Sequence, residues 1–372
     1  MKITKITTHA INMPMKLRGD VPHVGGQART ALEMLLVRVD TDEGVSGWGE
    51  GFGHRIWSAT RAAIDGVIAP ACLGKDPTAI NTLMTDLTRT LHSAGRHGAM
   101  TFGLSAIDIA LWDIAGKIAG LPLYRLLGGG ARNDLPAYAS LLRYGKLASL
   151  TRNIEDALDR GYRLVKIHEI ERDIIRGARK ALGDDIPLMV DCNCPWSIEQ
   201  ALAMCDELRD FRLEWLEEPV WPPEAALLAR VRDAGGIPVA AGENVANAFD
   251  FRRLFEAEAL SVAQPSVTKV GGVSEMVRIF DLAAMYGVRV VPHSAYFGPG
   301  LLASIHVCAA QPKDVWIERF YCDFEVTPLG EAINPKNGRM AVPQGPGLGL
   351  DPDPEVLERF AMTTPVSLRG TM

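Results

Sequence analysis

Seven polar residues recur through the second half of the chain at nearly constant intervals. They are Lys166, Asp191, Glu217, Glu243, Lys269, His293 and Glu318, separated by 25, 26, 26, 26, 24 and 25 residues. Each closes a short apolar run: YRLVKIHE, IPLMVDCN, LEWLEEP, IPVAAGEN, LSVAQPSVTK, VRVVPHS and VWIERF, with DLPAYASL ahead of them as an eighth. Helix-like stretches such as SIEQALAMCDELRDF and GGVSEMVRIFDLAAMYG lie between the runs. Eight alternating units over about 190 residues predict a (β/α)8 barrel of the TIM type. In such a barrel every strand ends at one mouth, so side chains spaced one unit apart converge there.

The residue types define a chemistry. Asp191, Glu217 and Glu243 end consecutive strands, and three carboxylates at one mouth repel one another unless a cation holds them. Hard oxygen donors in this number suit Mg2+, with Mn2+ as a substitute. Lys166 precedes the acids and Lys269 follows them, so the two lysines approach from opposite sides. A lysine crowded by other cations is disfavoured as ammonium, and its pKa falls toward that of a working base. Such a base removes a proton from carbon beside a carboxylate while a metal stabilises the enediolate. Lys166 and His168 share one face of their strand, a costly pair to bury without anionic company. His168 is then either a base itself or a neutral hydrogen-bond donor.

The remaining elements must position this mouth. Residues 1–130 read as an α+β capping domain, with strands ITKITTHAINM and ALEMLLVRVDTDEGVSGWGEG, then helices SATRAAIDGVIAPACL, DPTAINTLMTDLTRTL and GLSAIDIALWDIAGKIAGLPLYRLL. Residues 131–320 form the barrel, and the Gly- and Pro-rich segment 321–372 returns to the cap. GGGARNDLP is a joint between the first two, since no Lys-Ser/Thr pair follows the glycines to make a phosphate cradle. No stretch reads as a membrane span, and MKITKITTHAINM lacks the apolar core of a signal peptide. The 39 Lys and Arg against 45 Asp and Glu, without a basic block, argue against nucleic acid or an anionic membrane as partner. Six scattered cysteines predict free thiols in a cytoplasmic protein.

LSAIDIALWDIAGKIAGLPLYRLLGG, VKIH, VDCN, WLEEP, GEN, SVTKVGGVSE, VPHS and WIERF together resemble the enolase superfamily, in its mandelate racemase and muconate lactonizing enzyme group. The resemblance implies Mg2+ ligation by Asp191, Glu217 and Glu243. It makes Lys166 a base, places Asn193 in an Asp-x-Asn element at the substrate, and assigns Glu318 to the substrate carboxylate. It also implies that capping loops carrying His23, His54 and Trp57 close over the site, while His92, His97 and His306 are structural. Two departures stand out: Lys166-x-His168 replaces Lys-x-Lys, and Ser266 stands where an Asp would couple to His293. Lys269 is therefore favoured over His293 as the base opposite Lys166. The expected enzyme is a homo-oligomer, from dimer to octamer, acting on a small-molecule carboxylate. Racemisation or epimerisation is the expected outcome, with acid-sugar dehydration or cycloisomerisation through the same enediolate as alternatives. A metal-dependent hydrolase is disfavoured because DLPAYASL lacks a His-x-His pair.

Overall fold

The computed structural model describes residues 1–24 and 27–370. Its first layer is an antiparallel sheet built on β1 (Ile3–Lys16). A two-residue ribbon, β2 (His23–Val24) and β3 (Gln27–Ala28), leads into β4 (Ala31–Thr41) and β5 (Ser46–Gly51), with β4 between β1 and β5. The turn at DTDEG joins β4 to β5.

Eight parallel strands follow: β6 (Asp134–Leu141), β7 (Val165–Ile167), β8 (Leu188–Asp191), β9 (Leu213–Glu217), β10 (Val239–Ala241), β11 (Val262–Ala263), β12 (Arg289–Val290) and β13 (Ile317–Phe320). Neighbours pair in chain order from β6 to β12, and β13 returns to pair with β6. The ring therefore closes everywhere except between β12 and β13, which share no ladder among the described residues. Side-chain bonds bridge that seam: Ser294 N donates to Glu318 Oε2 at 3.0 Å and Ser294 Oγ to the Glu318 carbonyl at 3.1 Å. Beyond the barrel, β14 (Asp323–Phe324) and β16 (Val366–Arg369) pair with β1, whereas β15 (Arg339–Ala341) pairs with β6.

The barrel interior has two levels. Tyr138, Met189, Trp215, Ala240, Val262 and Val291 form a dry cluster, with Leu164 and Trp316 packed against it. Two residues further along each strand, the same inward face carries Ser140, Lys166, Asp191, Glu217, Gly242, Gln264, His293 and Glu318. The apolar layer is the floor and the polar layer is the mouth.

The first sheet and the barrel meet across helix Ala99–Ala119. By length and composition this helix could cross a membrane, contrary to the reading that no stretch is span-like, but 78% of its apolar window is buried inside the protein. It ends earlier than the sequence pattern predicts, because Gly120 takes φ +66° and Pro122 starts a separate short helix. On β5 the alternate residues Gly47, Gly49 and Gly51 face the helix. A Cβ on Gly49 would stand 1.9 Å from the Ala106 carbonyl oxygen, so only hydrogen allows this approach.

Buried carboxylates then fasten the cap to the barrel. Asp108 accepts from Ser274 N at 3.0 Å and Ser274 Oγ at 2.5 Å, Asp113 accepts from Trp48 N and Leu348 N, and Glu50 accepts from Gly300 N at 2.9 Å. Burial pushes Glu50 up to about 8 against the pull of the Gly300 N–H.

Two consequences are measurable. Gly49→Ala should cost about 1–3 kcal/mol by forcing helix and sheet apart; a urea midpoint unmoved by the substitution would show that the contact is not limiting. The raised Glu50 carboxyl stabilises the fold below the ordinary range of an unfolded glutamate, about 4.3. That contribution fades as pH rises through about 8. Glu50→Gln should therefore flatten the decline of stability across that window in pH-dependent denaturation, and an unchanged slope would refute the assignment.

Candidate active site

Three of the eight inward strands deliver carboxylates to one point. One oxygen each from Asp191, Glu217 and Glu243 lies within 4.8 Å of the others. Asp191 and Glu217 come directly from the inward layer. Glu243 is one residue out of step, because the inward position of β10 is Gly242. There a Cβ would collide with the Phe251 ring at 2.7 Å, and φ is +133°. The glycine turns the backbone so that its neighbour reaches the mouth. Asn193, Cys194 and Glu218 also take left-handed φ values of 54°, 54° and 46° directly after two of the acids. Non-glycine residues hold this conformation at a cost, as is common where a site imposes the geometry.

Each acid is held by a different set of donors. Glu217 Oε2 accepts from Gln264 Nε2 at 2.7 Å and Trp215 Nε1 at 3.0 Å. Asp191 Oδ1 accepts from the Asn193 backbone N–H at 3.0 Å and the Asn193 side-chain amide at 2.8 Å. Asn193, expected at the substrate, thus braces an acid. Glu218 turns toward Asn244, whose Nδ2 donates to it at 3.3 Å.

Lys166 is fully buried on one side of the trio. Its Nζ lies 2.9 Å from Glu217, 2.9 Å from Glu318 and 3.3 Å from Asp191. Burial works against the ammonium, but Glu217 and Glu318 outweigh it and hold the lysine above its ordinary range. The near neighbours of Lys166 are all acids, whereas the depression expected from the sequence depends on a cation at the trio. Lys166 and His293 in turn draw Glu318 down to about 2 against the effect of burial.

His168 stands behind Asp191. Its Nδ1 is 2.6 Å from the Leu141 carbonyl and its Nε2 is 3.2 Å from Asp191 Oδ2. Both partners are acceptors, so His168 is tethered at one ring nitrogen to the Leu141 carbonyl and at the other to Asp191.

The opposite side carries Lys269 and His293, both on Glu243. Lys269 Nζ lies 3.5 Å from Glu243 and donates to Asn244 Oδ1 at 3.0 Å. It does not end its strand as the spacing implied. β11 stops at Ala263, the inward residue is Gln264, and a turn over Val267–Gly271 brings Lys269 back to the mouth. His293 Nε2 is 3.3 Å from Glu243 Oε2. In place of a carboxylate partner, its Nδ1 meets Ser266 Oγ at 3.2 Å and Tyr296 Oη at 3.3 Å. Burial lowers the His293 pKa, against the pull of Glu243. With an acceptor carboxylate at Nε2, the ring holds a proton on that nitrogen and meets the two hydroxyls at Nδ1.

The loop residues divide. His54 lies near the Lys269 side, its ring edge-on to Phe52, over which Lys269 sits at 4.1 Å. His23 meets the barrel through its backbone, donating to the Arg143 carbonyl at 2.8 Å, while its side chain is exposed. Gly25 and Gly26 of the same loop lie outside the described residues. Trp57 is not at the mouth: it packs against the apolar core of the cap. His306 is buried between Tyr124 N and the Leu348 carbonyl. All six cysteines are unpaired. Gln264 and Tyr296 were missed; Gln264 could have been found two residues beyond the inward Val262.

The donor set fits a hard divalent cation: carboxylate oxygens only, clustered and shielded from water. Comparison with known proteins agrees. Residues 6–128 match the mandelate racemase / muconate lactonizing enzyme N-terminal domain, and residues 149–356 match the enolase C-terminal domain-like family. D-galactarolactone cycloisomerase of Agrobacterium fabrum is 32% identical, over 98% of this chain and 100% of its own. Arabinonate dehydratase of Saccharolobus solfataricus is 30% identical, over 92% of this chain and 94% of its own. The solved L-talarate dehydratase from Polaromonas sp., complexed with Mg and L-glucarate, superposes with a TM-score of 0.86 at 29% identity, covering 100% of both chains. The chain belongs to the mandelate racemase/muconate lactonizing enzyme group of the enolase superfamily, whose members here are metal-associated isomerases and hydro-lyases of acid sugars.

Proposed function

We propose that this enzyme catalyses β-elimination from an acid sugar. A proton leaves the carbon beside the carboxylate, an oxygen substituent then leaves the next carbon, and the product is a 2-keto-3-deoxy acid. The observation that carries this reading is the carboxylate trio within 4.8 Å, bracketed by Lys166 on one side and by Lys269 and His293 on the other. The names of the relatives, cycloisomerase and dehydratase, favour elimination over the racemisation expected from the sequence.

Asp191, Glu217 and Glu243 would hold Mg2+, which supplies Lewis-acid stabilisation of charge building on the substrate carboxylate. Glu318 and Lys166 flank the place of that carboxylate. With a cation at the trio offsetting its acids, Lys166 Nζ would be free to receive the α-proton on one face. On the other face His293 would act as the imidazolium, giving its Nε2 proton to the departing oxygen and returning to the neutral ring. Ser266 and Tyr296 fix the ring through Nδ1, so that the donating nitrogen keeps its direction. Lys269, an ammonium over the Phe52 ring, steadies negative charge on the same face. The departing oxygen is a hydroxyl in a dehydration or a ring oxygen in a cycloisomerisation.

Proton-transfer groups on both faces also serve α-epimerisation, and the products separate the two readings. With Mg2+ in D2O, a panel of acid sugars should give a keto-deoxy acid from at least one member. Deuterium in recovered substrate and its epimer, with no keto acid, would instead assign a racemase. Lys166→Ala should lower product formation by about 10²- to 10⁴-fold; a loss under threefold would remove Lys166 from the mechanism. Titration calorimetry tests the metal site without turnover: Glu217→Gln should abolish measurable Mg2+ binding, and retained binding would exclude the trio as its seat.

A further inference from the structure

The two oxygens of Glu217 keep different company. Oε2 accepts from Trp215 Nε1 at 3.0 Å and from Gln264 Nε2 at 2.7 Å, and both donor residues are fully buried. Oε1 faces Lys166 Nζ at 2.9 Å. A carboxylate oxygen has about two lone-pair directions, so two protein donors fill Oε2 and leave Oε1 as the oxygen presented to the trio. Asp191 divides in the same way. Its Oδ1 takes the Asn193 backbone and amide N–H groups at 3.0 and 2.8 Å, while Oδ2 faces Lys166 at 3.3 Å and His168 at 3.2 Å.

Neither donor on Glu217 is free to move aside. Trp215 belongs to the barrel floor, with the Tyr138 ring edge-on at 6.1 Å and the Trp316 ring at 6.0 Å. Gln264 reaches Glu217 from two strands away, since β10 lies between β11 and β9. The inward residue of β10 is Gly242, which sets no side chain across that path. The Gln264 backbone N–H continues the ladder by donating to the Ala241 carbonyl at 3.0 Å, which fixes where the amide starts. An amide oxygen against Glu217 would meet it acceptor to acceptor, so the donor end must face the carboxylate. The Gln264 Oε1 is then buried without a hydrogen-bond partner among the described residues. An apolar side chain would avoid that unfavourable burial, so the amide is retained for what its Nε2 does.

We infer that Trp215 and Gln264 are positioning residues that hold Glu217 to ligation through one oxygen, and that they thereby favour Mg2+ over Ca2+ at the trio. This rests on the trio as the seat of the cation. Mg2+ takes about six ligands at about 2.0–2.1 Å in near-ideal octahedral geometry. Acids that each give one oxygen leave positions on it for water and substrate oxygens. Ca2+ sits at about 2.3–2.6 Å, accepts about six to eight ligands and readily takes both oxygens of one carboxylate. Capping Oε2 withholds that second oxygen. Freed of its donors, Oε2 can turn in beside Oε1, a change that suits the larger ion and strains the octahedron of the smaller.

Titration calorimetry on the full-length protein, with Mg2+ or Ca2+ alone, tests this without turnover. Gln264→Met keeps the side-chain length and removes the donor. Trp215→Phe keeps an aromatic floor and removes the indole N–H. Each should lower Mg2+ affinity by about 10- to 100-fold, with Ca2+ affinity falling less, so that the Mg2+/Ca2+ affinity ratio drops by about tenfold. A merely structural role would weaken both ions alike. An unchanged ratio in a variant that keeps the wild-type urea midpoint therefore overturns the inference, while the trio stands as the metal seat. The two substitutions lie on different strands, so either folded variant decides the matter. Wild-type protein that binds neither ion would overturn the inference and the metal seat together.

Discussion

Repulsion among three clustered carboxylates, Asp191 and Glu217 buried and Glu243 partly so, is the constraint to which the rest of the molecule answers. Asp191, Glu217 and Glu243 sit within 4.8 Å of one another, where like charges cannot remain without compensation. The protein sets lysines on two sides of them, Lys166 against Asp191 and Glu217 and Lys269 against Glu243, with His168 beside Asp191 and His293 beside Glu243. The same cations bracket a bound substrate. Charge balance and proton transfer are therefore served by one set of side chains, and removing either side disturbs both.

Holding that balance requires a rigid frame, and the two-level barrel supplies it. Tyr138, Met189, Trp215, Ala240, Val262 and Val291 close the floor with apolar contacts. Lys166, Asp191, Glu217, Gln264, His293 and Glu318 each stand two positions above a floor residue, so their direction is inherited from packing below. Glu243 and Lys269 instead reach the mouth through Gly242 and a turn. The cap is fixed to this frame through short polar struts from Glu50 to Gly300 and from Asp108 to Ser274, while Asp113 ties the helix Ala99–Ala119 to the C-terminal segment at Leu348. Because the struts are buried, the cap is registered on the barrel.

The sequence showed most of the frame and half of the site. The eight apolar runs fall on the eight barrel strands, since a parallel sheet buried on both faces reads as continuous hydrophobic segments. The three acids are visible because they recur in step. Lys269 is in step for a different reason from the others: its strand ends at Ala263, and a turn makes up the distance to the mouth. Counting residues cannot tell a strand end from a turn that arrives at the same place. Gln264, the true inward residue of that strand, was hidden because an amide carries no charge signal. Trp57 illustrates the opposite error, an aromatic beside a loop that serves the core of the cap.

The departures from the family pattern acquire a common sense once the partners are known. His168 replaces a lysine but lies between the Leu141 carbonyl and Asp191, so it is anchored at both ring nitrogens where a lysine would carry a mobile ammonium. Ser266 replaces an aspartate, and Tyr296 completes its work with a second hydroxyl on the same nitrogen of His293. A carboxylate at Nδ1 would stabilise imidazolium and favour proton uptake at Nε2. Hydroxyls add no charge there, so an imidazolium at this position is less stabilised and gives up its Nε2 proton more readily. Elimination needs a donor for the departing oxygen, whereas racemisation needs a base on each face in turn. The exchange of Asp for Ser, which seemed to deprive His293 of a role, suits it to the acid half of an elimination.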